Sequence, residues 1–382
     1  MKLVDEFRDS EIAKRLAKKL QERKVDSVNL MEVCGTHTVA IFKHGIRQVL
    51  PPNVKLISGP GCPVCVTPNN DIDKAIALAQ NPNVILTTFG DMMKVPGSNS
   101  SLQYSKAAGA NIRVVYSVLD ALEIAKANPS KGVVFVGVGF ETTAPTIAAA
   151  ILEAERQRLD NFFLLSAHKL VPPAMKALLD SNDVKIDGFI CPGHVSTIIG
   201  SKPYEFIAAD YGIPCVIAGF EPLDIMQAID MLLDQLVSGK IRVDIQYRRA
   251  VSAEGNIVAL SYLYRVFEVT DAYWRGIGTI PETGLKLRPE YKRFDAEDVF
   301  KIKLGRRPKT EICQCGDILR GIVDPPSCSF FGKACTPEHP VGPCMVSSEG
   351  SCSAWYLYGP ETDNSGSTDN DGRHAILKWI QD

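Results

Sequence analysis

The 382-residue chain has no surplus of either charge: 42 Lys and Arg stand against 44 Asp and Glu, a formal net charge of −2. No basic run interleaved with aromatics breaks this balance, so nucleic acid is not an expected partner. Long apolar runs are missing too; none nears the roughly 20 residues that span a bilayer, and no membrane association is expected. The opening stretch "MKLVDEFRDSEIAKRLAKKLQERK" spaces Ile12, Leu16 and Leu20 as a helix does, without the short apolar core of a secretory signal. The expectation is a soluble, cytoplasmic protein. Cysteine is sparse as well, at 11 of 382 residues, too few for a disulfide-built secreted fold.

The placement of those cysteines says more than their number. Cys34, Cys62 and Cys65 fall in the first 65 residues, Cys191 and Cys215 are scattered, and six crowd between Cys313 and Cys352. In a reducing compartment such a crowd points to metal or redox chemistry.

From residue 27 to about 236, short β-branched runs alternate with helical patterns. The candidate strands are "SVNLMEV", "VKLIS", "VILTT", "RVVYS", "VVFVGVG", "FFLLS", "DGFIC" and "PCVIAG". This alternation predicts an α/β fold of parallel sheets covered by helices. Eight strands with a break at "NPSKG" suggest two similar Rossmann-like domains, residues 1–130 with the N-terminal helix and 131–240. Past residue 240 helix and strand signals mix, and a third, C-terminal domain (241–382) carries the cysteine-rich stretch. It ends in the polar tract "GPETDNSGSTDNDG" and the short amphipathic "RHAILKWIQD".

Ligands of open parallel sheets bind beyond the carboxyl ends of the strands, and the unusual residues cluster there. Cys34 follows the first strand in "CGTHT", and Cys62 and Cys65 follow the second in "SGPGCPVCVTPNND", so two strands of one sheet are expected to bring three thiols to one rim. Placed before helices, Cys34 (ahead of a helix over 38–50) and Cys65 are expected to have lowered pKa values. The C-x-x-C spacing suits a reversible disulfide or two adjacent metal bonds. His37, one turn from Cys34, and His194 in "CPGHVS" are candidates for proton transfer or metal contact, and Glu141 in "GFETTAP" for acid or base work if buried. His44, His168, His339 and His374 read as ordinary surface or capping residues. "GVGFETT" also resembles a phosphate-binding turn, but its third glycine is missing.

In "CQCGDILRGIVDPPSCSFFGKACTPEHPVGPCMVSSEGSC" the Gly and Pro content leaves little regular core, so a metal centre is expected to hold the turns together. The wide spacings suit a cubane iron-sulfur cluster. Zinc, usually gripped by close C-x-x-C knuckles, is the alternative. Four ligands from six thiols leave two, a pair able to form an electron-accepting disulfide.

Together "MEVCGTHT", "GPGCPVCVTP", "GFETTAP", "SAHKLVPPAM", "CPGHVSTIIG" and "CGDILRG...CMVSSEGSC" resemble the HypD family of nickel-iron hydrogenase maturation proteins over residues 26–358. The resemblance implies two related α/β domains and a cluster-bearing third around a cleft. It implies a 4Fe-4S cluster on Cys313, Cys328, Cys335 and Cys352, a disulfide between Cys315 and Cys344, and a redox-active pair in Cys62 and Cys65. Cys34 matches the thiol that holds a transient iron with the small chaperone HypC, while cyanide and carbon monoxide are installed; HypE supplies the cyanide. Some members have a second histidine where this chain has Val39, so no proton carrier or ligand is available there. The polar tail past residue 359 exceeds what the family leads one to expect. Rival expectations are a cluster-dependent thiol-disulfide reductase of protein partners and a nucleotide-binding α/β enzyme with structural zinc.

Overall fold

A computed structural model describes residues 9–181, 183–304 and 313–359. The polar tract, the closing amphipathic segment and His374 lie outside the described residues. All eight candidate strands form: β1 (Val28–Glu32), β2 (Val54–Ser58), β3 (Val84–Thr88), β4 (Ile112–Val114), β5 (Gly132–Gly137), β6 (Phe162–Ser166), β7 (Gly188–Pro192) and β8 (Cys215–Ala218). "RVVYS" contributes less strand than expected. Its last residue, Ser117, leaves the sheet to cap the helix Val118–Ala127 in a capping box with Asp120.

The strands make two parallel sheets, one ordered β2-β1-β7-β8-β9, with β9 at Val243–Ile245, and one ordered β4-β3-β5-β6. The sheets therefore do not divide at residue 130. The chain leaves the first sheet after β2, builds the whole second sheet over residues 84–166, and returns to set β7 beside β1. The sequence alternation records the order of elements, whereas partner choice depends on which apolar faces meet.

Each strand presents alternate residues to opposite faces. Leu30, Leu56, Ile190 and Val216 join the helices Gly35–Lys43 and Pro222–Ser238 in one core. Ile85, Val133, Phe135 and Leu164 form another with Ala148, Ile151 and Phe267. Met31, Ile57, Leu86, Val134 and Phe189 contribute to a third core, which also takes in Cys62, Cys65, Cys315 and Cys344.

Beyond β9 come a helix, Ile257–Val266, and an antiparallel hairpin of β10 (Phe267–Trp274) and β11 (Gly278–Leu287). The described C-terminal segment has a 3-10 turn, Pro325–Ser327, and three short α-helices, Cys315–Leu319, Pro343–Val346 and Ser351–Tyr358. The last rests on the Gly35–Lys43 helix, where the Phe42 and Trp355 rings lie 4.9 Å apart. Among the described residues no helix is long and apolar enough to cross a membrane.

Candidate functional site

β1 and β2 are parallel neighbours with Glu32 opposite Ser58, so the segments that follow them leave the sheet at the same end. Gly59 N–H returns to Glu32 O (2.8 Å) and Gly35 N–H to Gly61 O (3.1 Å). Gly61 lies so tight on Cys34 that any Cβ would overlap its backbone. These glycines lay the C-x-x-C loop against Cys34.

The helix expected over 38–50 begins at Gly35 with Cys34 as its N-cap, ends at Lys43, and gives way after Gly45 (φ 62°) to a 3-10 turn, Ile46–Val49. Its position does not acidify Cys34. Burial, with the charges of Glu349 and Glu32, pushes the thiol up to about 12, and backbone N–H groups at the helix start oppose this only partly. Desolvation outweighs the helix-end effect that the sequence suggested. Glu32, itself buried, accepts the Cys34 N–H (3.1 Å) and the Thr38 hydroxyl (2.5 Å); burial raises it to about 7.

His37 is fully buried, and its Nε2–H is shared between the carbonyls of Ala218 (3.2 Å) and Gly219 (2.9 Å). Its Nδ1 is buried without a partner among the described residues, and burial drops the ring to about 4. Phe220 stacks on His37 at 4.9 Å, and His194 stacks on Phe220 at 3.9 Å. His194 is exposed at the outer end of this stack, and its pKa is lowered by partial burial against the opposing charge of Glu349. The loop carrying Phe220 is fixed from behind: Gly219 N–H donates to Gln246 Oε1 (3.1 Å), and Gln246 Nε2 donates to Asp224 (2.8 Å), which also pairs with Arg249.

Cys62 and Cys65 are joined as a disulfide, 5.2 Å apart at Cα, and are 3% and 0% exposed. The Ser347 hydroxyl lies 3.3 Å from Cys62 Sγ and accepts the Glu349 N–H (3.2 Å). Glu349 Oε1 in turn accepts the Thr36 hydroxyl (2.8 Å). The C-terminal segment thus bridges the C-x-x-C pair and the helix that starts at Cys34. On the other side, buried Arg275 donates from Nε to Thr67 O (2.7 Å), just past the C-x-x-C pair, and its charge favours a Cys315 thiolate.

Cys313, Cys328, Cys335, Cys344 and Cys352 line one small apolar pocket walled by Ile318, Phe330, Phe331, Val341 and Met345. Cys315 is held well below the usual thiol range by hydrogen bonds from Cys313 and Cys344, and Cys344 is correspondingly raised. Cys335 is raised by burial. The soft donors and dry walls fit an iron-sulfur cluster. The free space among the thiols is about 10 Å³, so seating one requires the side chains to spread. Among the described residues no three His, Cys, Asp or Glu side chains are grouped to hold a single metal ion.

Glu141, a candidate for acid or base work if buried, is buried, and burial raises it to about 7. Its Oε1 accepts the Val171 N–H (2.9 Å) at the start of the helix Val171–Ser181, and its Oε2 is buried without a partner among the described residues. Cys191 and Cys215 are fully buried on adjacent strands, and contact with Cys215 adds to burial in raising Cys191.

The HypD family model, described as the hydrogenase formation hypA family, matches residues 11–359. The chain belongs to the HypD family. It is 50% identical to hydrogenase maturation factor HypD2 of Bradyrhizobium diazoefficiens, over 95% of this chain and 98% of that one. It is 49% identical to HypD of Rhizobium leguminosarum bv. viciae (94% and 96% covered) and 45% identical to HypD of Escherichia coli K12 (94% and 98%).

Five more residues of the candidate site are not among those the sequence singles out: Glu32, Phe220, Arg275, Ser347 and Glu349. Glu32, Ser347 and Glu349 stand inside the cysteine-bearing motifs, two residues before Cys34 and five and three before Cys352, where the thiols are the stronger signal. Phe220 and Arg275 carry no local signal, since their roles come from distant contacts.

Proposed function

We propose that this hydrogenase maturation factor is a redox-active scaffold, which with HypC holds iron while cyanide, delivered by HypE, and carbon monoxide are attached to it. The iron is cargo, met by Cys34 and by the opened Cys62–Cys65 pair. The observation that carries this reading is the hydrogen-bonded bridge Cys62–Ser347–Glu349–Thr36, which ties the C-x-x-C pair to both the cysteine-rich segment and the Cys34 helix.

Cys313, Cys328, Cys335 and Cys352 would hold a 4Fe-4S cluster, which supplies one-electron chemistry when bound. Opening the disulfide takes two electrons and two protons and yields two thiols. The Ser347 hydroxyl, its oxygen already accepting the Glu349 N–H, donates toward Cys62 Sγ and favours a thiolate there. Cys34, at about 12, is a neutral thiol until iron displaces its proton. Glu32, whose carboxylate accepts the Cys34 N–H and which titrates near 7, can hold a proton at neutral pH. Thiolates are soft, electron-donating ligands suited to iron that carries electron-withdrawing cyanide and carbon monoxide. Cys315 and Cys344, in thiol contact, form a second dithiol couple beside the cluster ligands.

The reductase alternative needs a C-x-x-C pair that a partner's disulfide can reach, and burial of both sulfurs weighs against it. The test is the infrared spectrum of the anaerobically isolated chain with HypC. Cyanide and carbonyl stretching bands are expected, and they should vanish in Cys34→Ala. A wild-type complex without bands, whose thiols still reduce protein disulfides, returns the assignment to the reductase.

A further inference from the structure

A cavity of about 560 Å³ opens beyond the carboxyl end of β6, against the β10–β11 hairpin, and no cysteine lines it. Lys169 stands in its wall, only 3% exposed. Its backbone is pinned from two sides, by a hydrogen bond to Gly139 O (3.0 Å) and a β-bridge to Gly284. Among the described residues its ammonium makes no hydrogen bond. Among those residues the one carboxylate within 4 Å is Asp71, at 3.8 Å, beyond hydrogen-bond reach.

Asp71 is shared, since its other oxygen faces Lys74 Nζ at 3.5 Å. Lys74 itself reaches Glu297 at 2.7 Å. Of the three carboxylates lining the cavity, Asp71 and Glu297 face lysines and Asp271 accepts the Glu282 N–H (3.1 Å), while a buried ammonium keeps unmet donors, which is a destabilising arrangement without an acceptor. The 11-residue helix Asn69–Ala79 also starts here; its N-cap, Pro68, supplies no side-chain acceptor, and the acid of its first turn is the same Asp71 that faces the two lysines. A helix amino end favours negative charge. His168, expected from the sequence to be a surface or capping residue, is instead buried in this wall, and its Nε2 has no partner among the described residues.

We infer that this cavity binds a small molecule through an oxyanion, phosphate or carboxylate, seated on Lys169 Nζ at the amino end of the helix Asn69–Ala79. The volume accommodates a ligand of metabolite size. The site is separate from the thiol rim and does not depend on the scaffold reading.

Calorimetric titration of the full chain with inorganic phosphate, and separately with malonate, tests this. Saturable binding of at least one is expected. Phosphate alone assigns a phosphorylated ligand, and malonate alone a carboxylate. Lys169→Met, shown by circular dichroism to be folded, should weaken binding at least tenfold. Asp71→Asn removes the carboxylate that competes for Lys169 and should tighten it several-fold. If Lys169→Met does not fold, Asp71→Asn decides. No binding of either anion at millimolar concentration, binding that survives folded Lys169→Met, or unchanged or weaker binding in Asp71→Asn would overturn the inference.

Discussion

Cys62 Sγ lies 3.3 Å from Ser347 Oγ, a contact across 285 positions of sequence. A hydroxyl donating to sulfur stabilises the thiolate more than the disulfide. Ser347→Ala is therefore expected to make the pair harder to reduce. Loss of a hydrogen bond of about 1 kcal/mol corresponds to a potential about 20 mV more negative, measurable by thiol-disulfide equilibration.

Gly61 is pressed on the Cys34 backbone, leaving no room for a methyl group. Gly61→Ala should displace Cys34 from the C-x-x-C loop and destabilise the fold by about 1–3 kcal/mol, the range for overpacking. Hydrogenase maturation should fall much further than thermal stability. Equal, modest losses in both would show that the close approach serves packing alone.

Cys34 is raised to about 12 by burial. At pH 8 its alkylation by iodoacetamide should run at least about 100-fold slower than that of a free thiol, because the thiolate is the nucleophile. Mass spectrometry of the tryptic peptide reads the rate. Labelling as fast as a surface cysteine would contradict the burial that sets this value.

Phe220 covers His37, which titrates only near 4. Phe220→Ala should admit water to Nδ1 and return the imidazole toward 6.5, read by nuclear magnetic resonance. His194, on the other face of Phe220 and exposed, should move much less.

Glu141 has a folded pKa of about 7 against 4.5 in the unfolded chain. A raised carboxyl contributes stability that is full below 4.5 and lost as pH rises through 7. The loss is on the order of 3 kcal/mol by the shift. His37, lowered to about 4, acts oppositely in the same window, losing stability as pH falls below 6.5. Glu32, raised like Glu141, adds to the same window, so the wild-type curve sums these contributions and isolates none of them. Glu141→Gln should gain stability relative to wild type between pH 5 and 8, tracked by urea unfolding at each pH.

The sequence alone determined the strands, the presence of three thiols at the ends of β1 and β2, and the family. These depend on local signals: β-branched runs, Gly-Pro turns and long cysteine-bearing motifs, which act through near neighbours and can be read in order. Glu141 was legible as a strand-end carboxylate, but its burial and its bond to Val171 N–H were not.

Only the tertiary structure decided that β7 returns to β1, so that the four-stranded sheet lies between two parts of the five-stranded one in sequence. It also reversed the expected shift at Cys34. A helix amino end is a local feature, but desolvation is the sum of everything packed around the sulfur, including Glu349 from the far end of the described chain. Burial and long-range contact have no one-dimensional signature, and for that reason the Ser347 bridge, the Phe220 stack and the Lys169 cavity emerge only once the faces of the elements have met.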